Sequence, residues 1–366
     1  KNISDVWTQI GDDIDGEAIN DWSGWSVSLA SSGTIVAIGA PYNDGNGPDS
    51  GHVRVYGNVS GVWTQLGDDI NGEAASDNSG WSVSLSYNGS IVAIGAYNNS
   101  GNGAYSGHVR VYKKTLDGWT QIGDDINGEA AADSSGRSVS FSDDGSVVAI
   151  GAFLNDGNGD RSGHVRVYEN ISGVWTQIGD DIDGEAVNDT SGGSVSLSSD
   201  GNIVAIGASD NAGNGSNSGH VRIYKNMSGV WTQIGTDIDG EAVLDYSGYS
   251  VSLSSDGSVV AIGGILNDEN GNNSGHVRVY DLSTVLSSDS FNVDYFSMYP
   301  NPSQNRVDLK LLHNQKLKQI NIYTVLGKYL YSEKSLSLDI SHLSSGIYIL
   351  EVETNQGKSA KRLIKK

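Results

Sequence analysis

Trp7, Trp63, Trp119, Trp175 and Trp231 follow one another at an unvarying interval of 56 residues, and His52, His108, His164, His220 and His276 keep the same interval. A fixed period of this kind constrains a fold more than any local motif. Each repeat must be one supersecondary unit that buries its apolar face only against its neighbours. The acid-rich stretch that opens at Gly11 begins again at Gly67, Gly123, Gly179 and Gly235, and the repetition stops at Tyr280.

Within each unit four short runs read as strands: "SVSL" (A), "IVAIGA" (B), "HVRVY" (C) and "VWTQI" (D). They are β-branched or alternating and are bounded by Gly, Asn, Asp and Ser. No segment carries a helical period. Four strands per unit without helices predict an all-β fold, a β-propeller of four-stranded blades. A β-solenoid is the second choice, since its coils are shorter than this unit. The A–B link ("SSDG", "DDGS") and the C–D link ("ENISG", "KNMSG") are tight turns,. The D–A link ("GDDIDGEA") and the B–C link ("NDGNG") are long and emerge together on the opposite face, where function is expected,. The first unit starts at D and the last ends at C. The strand of Trp7 is therefore expected to close the last of five blades, over residues 1–280,. The opening "KNISDVW" imitates "KNMSGVW" at 225–231, so missing upstream blades are the rival reading.

Charge divides the chain. From Phe291 onward there are 11 Lys and Arg against 6 Asp and Glu, whereas the remainder carries 11 against 38. So acidic a repeat region repels nucleic acid and anionic membrane. The chain has no cysteine, so no disulfide or cysteine metal site holds it together,. No apolar run is long enough for a membrane helix. A chain that begins at Lys1, with neither Met nor signal peptide, is expected to be a processed product or a fragment.

The D–A loops supply candidate cation ligands. Asp13, Asp15, Glu17 and Asp21 stand at relative positions 1, 3, 5 and 9, the oxygen offsets of an EF-hand loop,. The pattern returns as Asp69, Asn71, Glu73 and Asp77; as Asp125, Asn127, Glu129 and Asp133; as Asp181, Asp183, Glu185 and Asp189; and as Asp237, Asp239, Glu241 and Asp245. It points to weakly bound calcium, roughly 10⁻⁴–10⁻³ M. Gly at position 4 rather than 6, and no Glu at 12, leave turn formation as the competing role. The His and Arg of "HVRVY" share a strand face in every unit and read as a packing device. Aromatic residues break the symmetry: Trp22, Trp25, Trp81, Tyr246 and Tyr249 fall on two loop positions and, in a closed ring, form one arc able to stack on sugars, peptides or basic side chains,. No singular catalytic cluster stands out, so an enzyme is not expected.

The phrases "SGWSVSL", "GTIVAIGAP" and "SGHVRVY" resemble the FG-GAP repeat of integrin α-subunit propellers and bacterial surface proteins. Ser23 replaces the family's Phe, the Gly-Ala-Pro triplet is complete only at Gly39 to Pro41, and the A–B turn lacks the family's calcium loop. The resemblance implies that the loop aromatics line the top of the ring and can cage a partner's basic residue.

After a Ser-rich linker (281–290), residues 291–366 alternate as the strands of a small Ig-like β-sandwich, for example "RVDLKLL", "KQINIYTV" and "GIYILEVET",. This segment resembles the type A C-terminal sorting domain of the Bacteroidota type IX secretion system. The resemblance rests on Pro300, Asn301 and Pro302, Gly327 of the "LGK" turn, Gly346 and Tyr348 of "LSSGIYIL", and the basic end with Lys361, Lys365 and Lys366. It implies passage through the periplasm and the type IX translocon, recognition by an outer-membrane shuttle protein, cleavage by a sortase, and a secreted or surface-anchored product. The leading functional reading is a secreted or surface-anchored binding or adhesion propeller with a glycan or protein ligand on the long-loop face. A structural spacer is the second reading, and a secreted hydrolase the third.

Overall fold

A computed structural model of the chain describes residues 2–3, 6–286, 296–311, 316–324, 328–354 and 357–366. Two compact units divide it, Lys1–Leu286 and Ser287–Lys366.

The first unit is a propeller whose blades repeat one antiparallel plan. In the first blade, strands Ser26–Leu29, Ile35–Ala40, His52–Val59 and Val62–Gln65 pair in chain order. The fourth strand breaks at the "LGDD" bulge and resumes as Ile70–Asn71, which pairs with the start of the third strand at Val53 and His52. The next three blades repeat this five-element plan. Inward Val53 and Val55 are fully buried and pack against Leu85 of the following blade, and this junction recurs along the array. Polar repeat residues tie the same junctions. Ser26 Oγ donates to Gly80 O, Trp119 Nε1 to Leu66 O at 2.6 Å, and Arg110 Nη2 to Asn71 O at 2.6 Å. Backbones of neighbouring blades approach closely at Gly95, where a Cβ would lie 2.1 Å from Gly136 O; only Gly fits there,.

The loops sort as expected. The A–B turns chain together through Ser31 N to Tyr87 O, Tyr87 N to Asp143 O and Asp143 N to Ser199 O. On the opposite face each B–C loop grips the next long loop, as in Asn46 Nδ2 to Gly72 O at 2.8 Å.

The expected closure of the ring does not form among the described residues. Val6–Trp7 pairs with Asn2–Ile3 in a hairpin of its own, and the fifth blade is a three-stranded sheet ending at His276–Asp281. The reasons are local. One edge of Val6–Trp7 is taken by Asn2–Ile3,. Beyond the third strand, Asp281 Oδ1 accepts from Ser283 N and opens the short helix Ser283–Leu286 in place of a fourth strand. Val285 of that helix lies 3.6 Å from the Cβ position of Gly235, over which the other blades set a Trp. Val277 and Val279, with no following blade among the described residues to pack on them, are 69% and 66% exposed, where their counterparts Val53 and Val55 are buried. At the other end Val27 and Leu29 are exposed as well.

The second unit has two antiparallel sheets. One orders Phe296–Tyr299, Arg306–Leu311 and Ser337–Asp339; the other orders Tyr329–Glu333, Leu317–Thr324, Gly346–Thr354 and Gly357–Lys365. Phe296, Val307, Ile320, Ile322, Leu350 and Leu363 of both sheets share one buried core, the packing of a small sandwich,.

Candidate functional site

The long-loop face holds two kinds of side-chain assembly. The first concerns the loop acids, which do not converge as an EF-hand set. Asp21 is buried; its Oδ2 accepts from Ala18 N at 3.0 Å and from Asn43 Nδ2 at 2.9 Å. Asp77 and Asp245 repeat this arrangement, and Asp133 and Asp189 accept from the same turn's backbone. Residues at position 3 (Asp15, Asn71, Asn127, Asp183, Asp239) present their backbone carbonyls to Arg54, Arg110, Arg166, Arg222 and Arg278. Position 1 carboxylates accept from a Gln four residues earlier, as in Asp13 from Gln9 and Asp69 from Gln65. Asp125, Asp181 and Asp237 do the same. Among the described residues no loop brings three of its own acids within 4.8 Å of one another. The 1-3-5-9 carboxylates therefore lie apart: a nine-residue turn folds position 9 inward and leaves position 1 on the bulge of the preceding blade.

What gathers instead is the Glu of one loop, the His of the following third strand and the first Asp of the next loop. His52 Nδ1 lies 3.8 Å from Glu17 Oε2 and 3.9 Å from Asp69 Oδ2. Glu73, His108 and Asp125 repeat the group, as do Glu129, His164 and Asp181, and Glu185, His220 and Asp237. Burial lowers the pKa of all four imidazoles, to about 4 for His108 and His164; the Arg two residues on pulls the same way and the facing Asp opposes it. Burial also raises the carboxyls of Glu73, Glu129 and Glu185.

The second assembly is aromatic. Trp22 contacts Tyr42 at 4.5 Å between ring centroids and Trp25 at 5.5 Å. Trp25 contacts Trp81 at 4.6 Å, and Trp81 contacts Tyr97 at 4.4 Å. Five rings thus run without a break across the first two blades. Arg137 extends the run, its guanidinium 4.8 Å above Trp81 and 5.3 Å from Phe153, with Tyr249 of the fifth blade close enough to interact with its charge. Trp22 is 53% and Trp25 46% exposed. Tyr246 stands apart, its hydroxyl held by Asn217 Nδ2 at 2.8 Å. Trp22 sits at φ 54°, and Asn78, Ser134, Thr190 and Tyr246 share that left-handed conformation. A bulky side chain is seldom found there, because its Cβ crowds the neighbouring backbone. Sequence reading missed Tyr42, Tyr97 and Phe153. Their signal was the pair of residues after "IGA", which differ from unit to unit as the aromatic loop positions do.

In the sorting unit the motif residues form one structural knot. Asn301 Nδ2 donates to Arg362 O and its Oδ1 accepts from Ile364 N, each at 2.8 Å. The peptide bonds before Pro300 and Pro302 are both cis. Ser303 continues the clasp, accepting at its carbonyl from Lys366 N. Lys361 Nζ lies 5.6 Å from the centre of the Phe296 ring. Gly346 pairs with Lys365 at the end of the sheet, and Tyr348 Oη donates to Ser344 O. Gly327 lies outside the described residues.

Residues 14–56 match the FG-GAP repeat, and residues 297–366 match the secretion system C-terminal sorting domain. The chain therefore carries an FG-GAP repeat within a β-propeller fold and a type IX sorting tail, and that tail directs export by type IX secretion to a secreted or cell-surface location. None of the curated proteins matches the chain. Among solved structures it is similar to a periplasmic gluconolactonase of Pseudomonas aeruginosa (13% identity, TM-score 0.46, covering 93% of this chain and 85% of that one). It is also similar to a putative 6-phosphogluconolactonase of Bacteroides uniformis (13% identity, TM-score 0.46, covering 87% and 88%).

Proposed function

We propose that the exported propeller is a non-catalytic binding module whose aromatic run takes a glycan. The observation that carries this reading is the unbroken series Tyr42, Trp22, Trp25, Trp81 and Tyr97 on the long-loop face, with two of its indoles about half exposed. Exposed indole faces stack on sugar rings and gain from apolar burial without needing a charged partner. A partner's cation is the poorer fit, because Arg137 of the chain itself already covers Trp81,.

Probing a glycan array with the intact chain tests this. One class of sugar should bind, and Trp25→Ala should weaken it roughly tenfold, the equivalent of one lost aromatic contact of about 1.4 kcal/mol. Binding that Trp25→Ala and Trp22→Ala leave unchanged, or an array without any signal, would favour the spacer.

A further inference from the structure

The Glu, His and Asp groups have no part in the aromatic site, and their geometry is that of ligands. In the first group the three atoms facing one another are His52 Nδ1, Glu17 Oε2 and Asp69 Oδ2, and the two His–carboxylate separations are 3.8 and 3.9 Å. These distances are too long for hydrogen bonds. The imidazoles of His52, His108 and His164 are 1% exposed, and their Nδ1 atoms are buried and make no hydrogen bond. A buried polar atom left without a partner is rare, and one recurring at equivalent positions calls for an explanation.

The remaining oxygens explain how the carboxylates are aimed. Glu17 Oε1 faces Arg54 Nη1 at 3.6 Å, which leaves Oε2 toward the imidazole. Asp69 Oδ1 accepts from Gln65 Nε2 at 2.7 Å, which leaves Oδ2 toward the same imidazole. The second, third and fourth groups repeat both outer contacts. Outer partners that fix one oxygen and free the other are the usual support of a metal ligand.

We propose that the long-loop face carries four equivalent sites for a zinc-class divalent cation, each made by the Glu of one loop, the buried His and the first Asp of the next loop. One imidazole nitrogen and two carboxylate oxygens suit zinc, which binds them at 2.0–2.2 Å and, in tetrahedral geometry, sets ligand atoms about 3.4 Å apart. The His–carboxylate separations need to close by only a few tenths of an ångström, a movement the half-exposed Glu side chains can supply. In the tautomer with the proton on Nε2, the unpartnered Nδ1 lone pair faces the two carboxylate oxygens. Calcium, which takes oxygens only, is the poorer match. Three protein ligands leave a fourth position for water. The fifth His lacks a following repeat: His276 is more exposed and meets Glu241 and Glu269 instead, so it makes a different and weaker site.

The test is metal content of the untagged full chain after equilibration with excess zinc and removal of unbound ion by gel filtration, measured by elemental mass spectrometry. The wild type should retain about four zinc ions and Asp125→Asn about three, one for each intact group. Asn at 125 keeps an oxygen for Gln121, so circular dichroism should show an unchanged fold. Glu73→Gln should remove the same site from the opposite side. Excess calcium should displace none of the zinc. Fewer than one zinc per chain, or the same content in Asp125→Asn and Glu73→Gln as in the wild type, overturns the proposal.

Discussion

Asp77 shows what a loop residue does when its carboxylate is folded inward. It is 3% exposed and accepts from Ala74 N and Asn99 Nδ2, so one side chain closes its own turn and clasps the B–C loop beside it. Asp77→Ala would leave a buried amide and a backbone N–H without an acceptor. The expected loss is about 2–3 kcal/mol in chemical denaturation, against less than about 0.5 kcal/mol for Asp68→Ala on the exposed bulge. Equal effects of the two would mean that the clasp contributes nothing. This residue also shows how far the sequence could be read. The offsets 1, 3, 5 and 9 named the residues that matter but not their companions. Period and residue type carry no information on which oxygen a turn points inward, or that Asp69 belongs in space with Glu17 and His52. The "HVRVY" histidine was legible as a repeated packing residue; its two carboxylates arrive from loops on either side of it along the chain.

At the scale of the blade, strand identity and order were legible because apolar runs and turn residues alternate with little ambiguity. Each of the runs named from sequence is a strand, and the pairing follows chain order. What the runs did not reveal is the bulge that splits the fourth strand and hands its last two residues to the third. The junction between blades depends on glycine, which a strand pattern records only as a gap. Gly95 has a carbonyl of the next blade where a Cβ would go, whereas Gly263 in the last blade meets only the Ser250 hydroxyl, at 2.5 Å. Gly95→Ala should therefore force two blades apart and cost about 1–3 kcal/mol, the range of an overpacked core. Gly263→Ala should cost less than half as much, because a hydroxyl can rotate aside. The paired denaturation midpoints check this, and a penalty at 263 as large as at 95 would remove the junction argument.

For the molecule as a whole, the division into acidic repeats and a basic tail was legible from charge, and the tail's role from its motifs. Closure of the ring was not, because strand counting ignores what Val6–Trp7 and the residues after Asp281 do locally. The sorting tail carries the export signal on its own strands, where Asn301 locks the basic C-terminal segment into the sheet. Removing residues 287–366 should leave the propeller in the periplasm of a type IX-competent cell, as fractionation and immunoblotting would show. Wild-type amounts outside the cell would mean that the blades hold an address of their own. The unjoined faces at Val27 and Leu29, and at Val277 and Val279, have a consequence for inheritance. Every junction in the array is complete between two neighbours and owes nothing to the number of blades. A gene encoding near-identical units in tandem is prone to unequal crossing-over, and every blade-to-blade junction left in such a recombinant would be the same nearest-neighbour contact,.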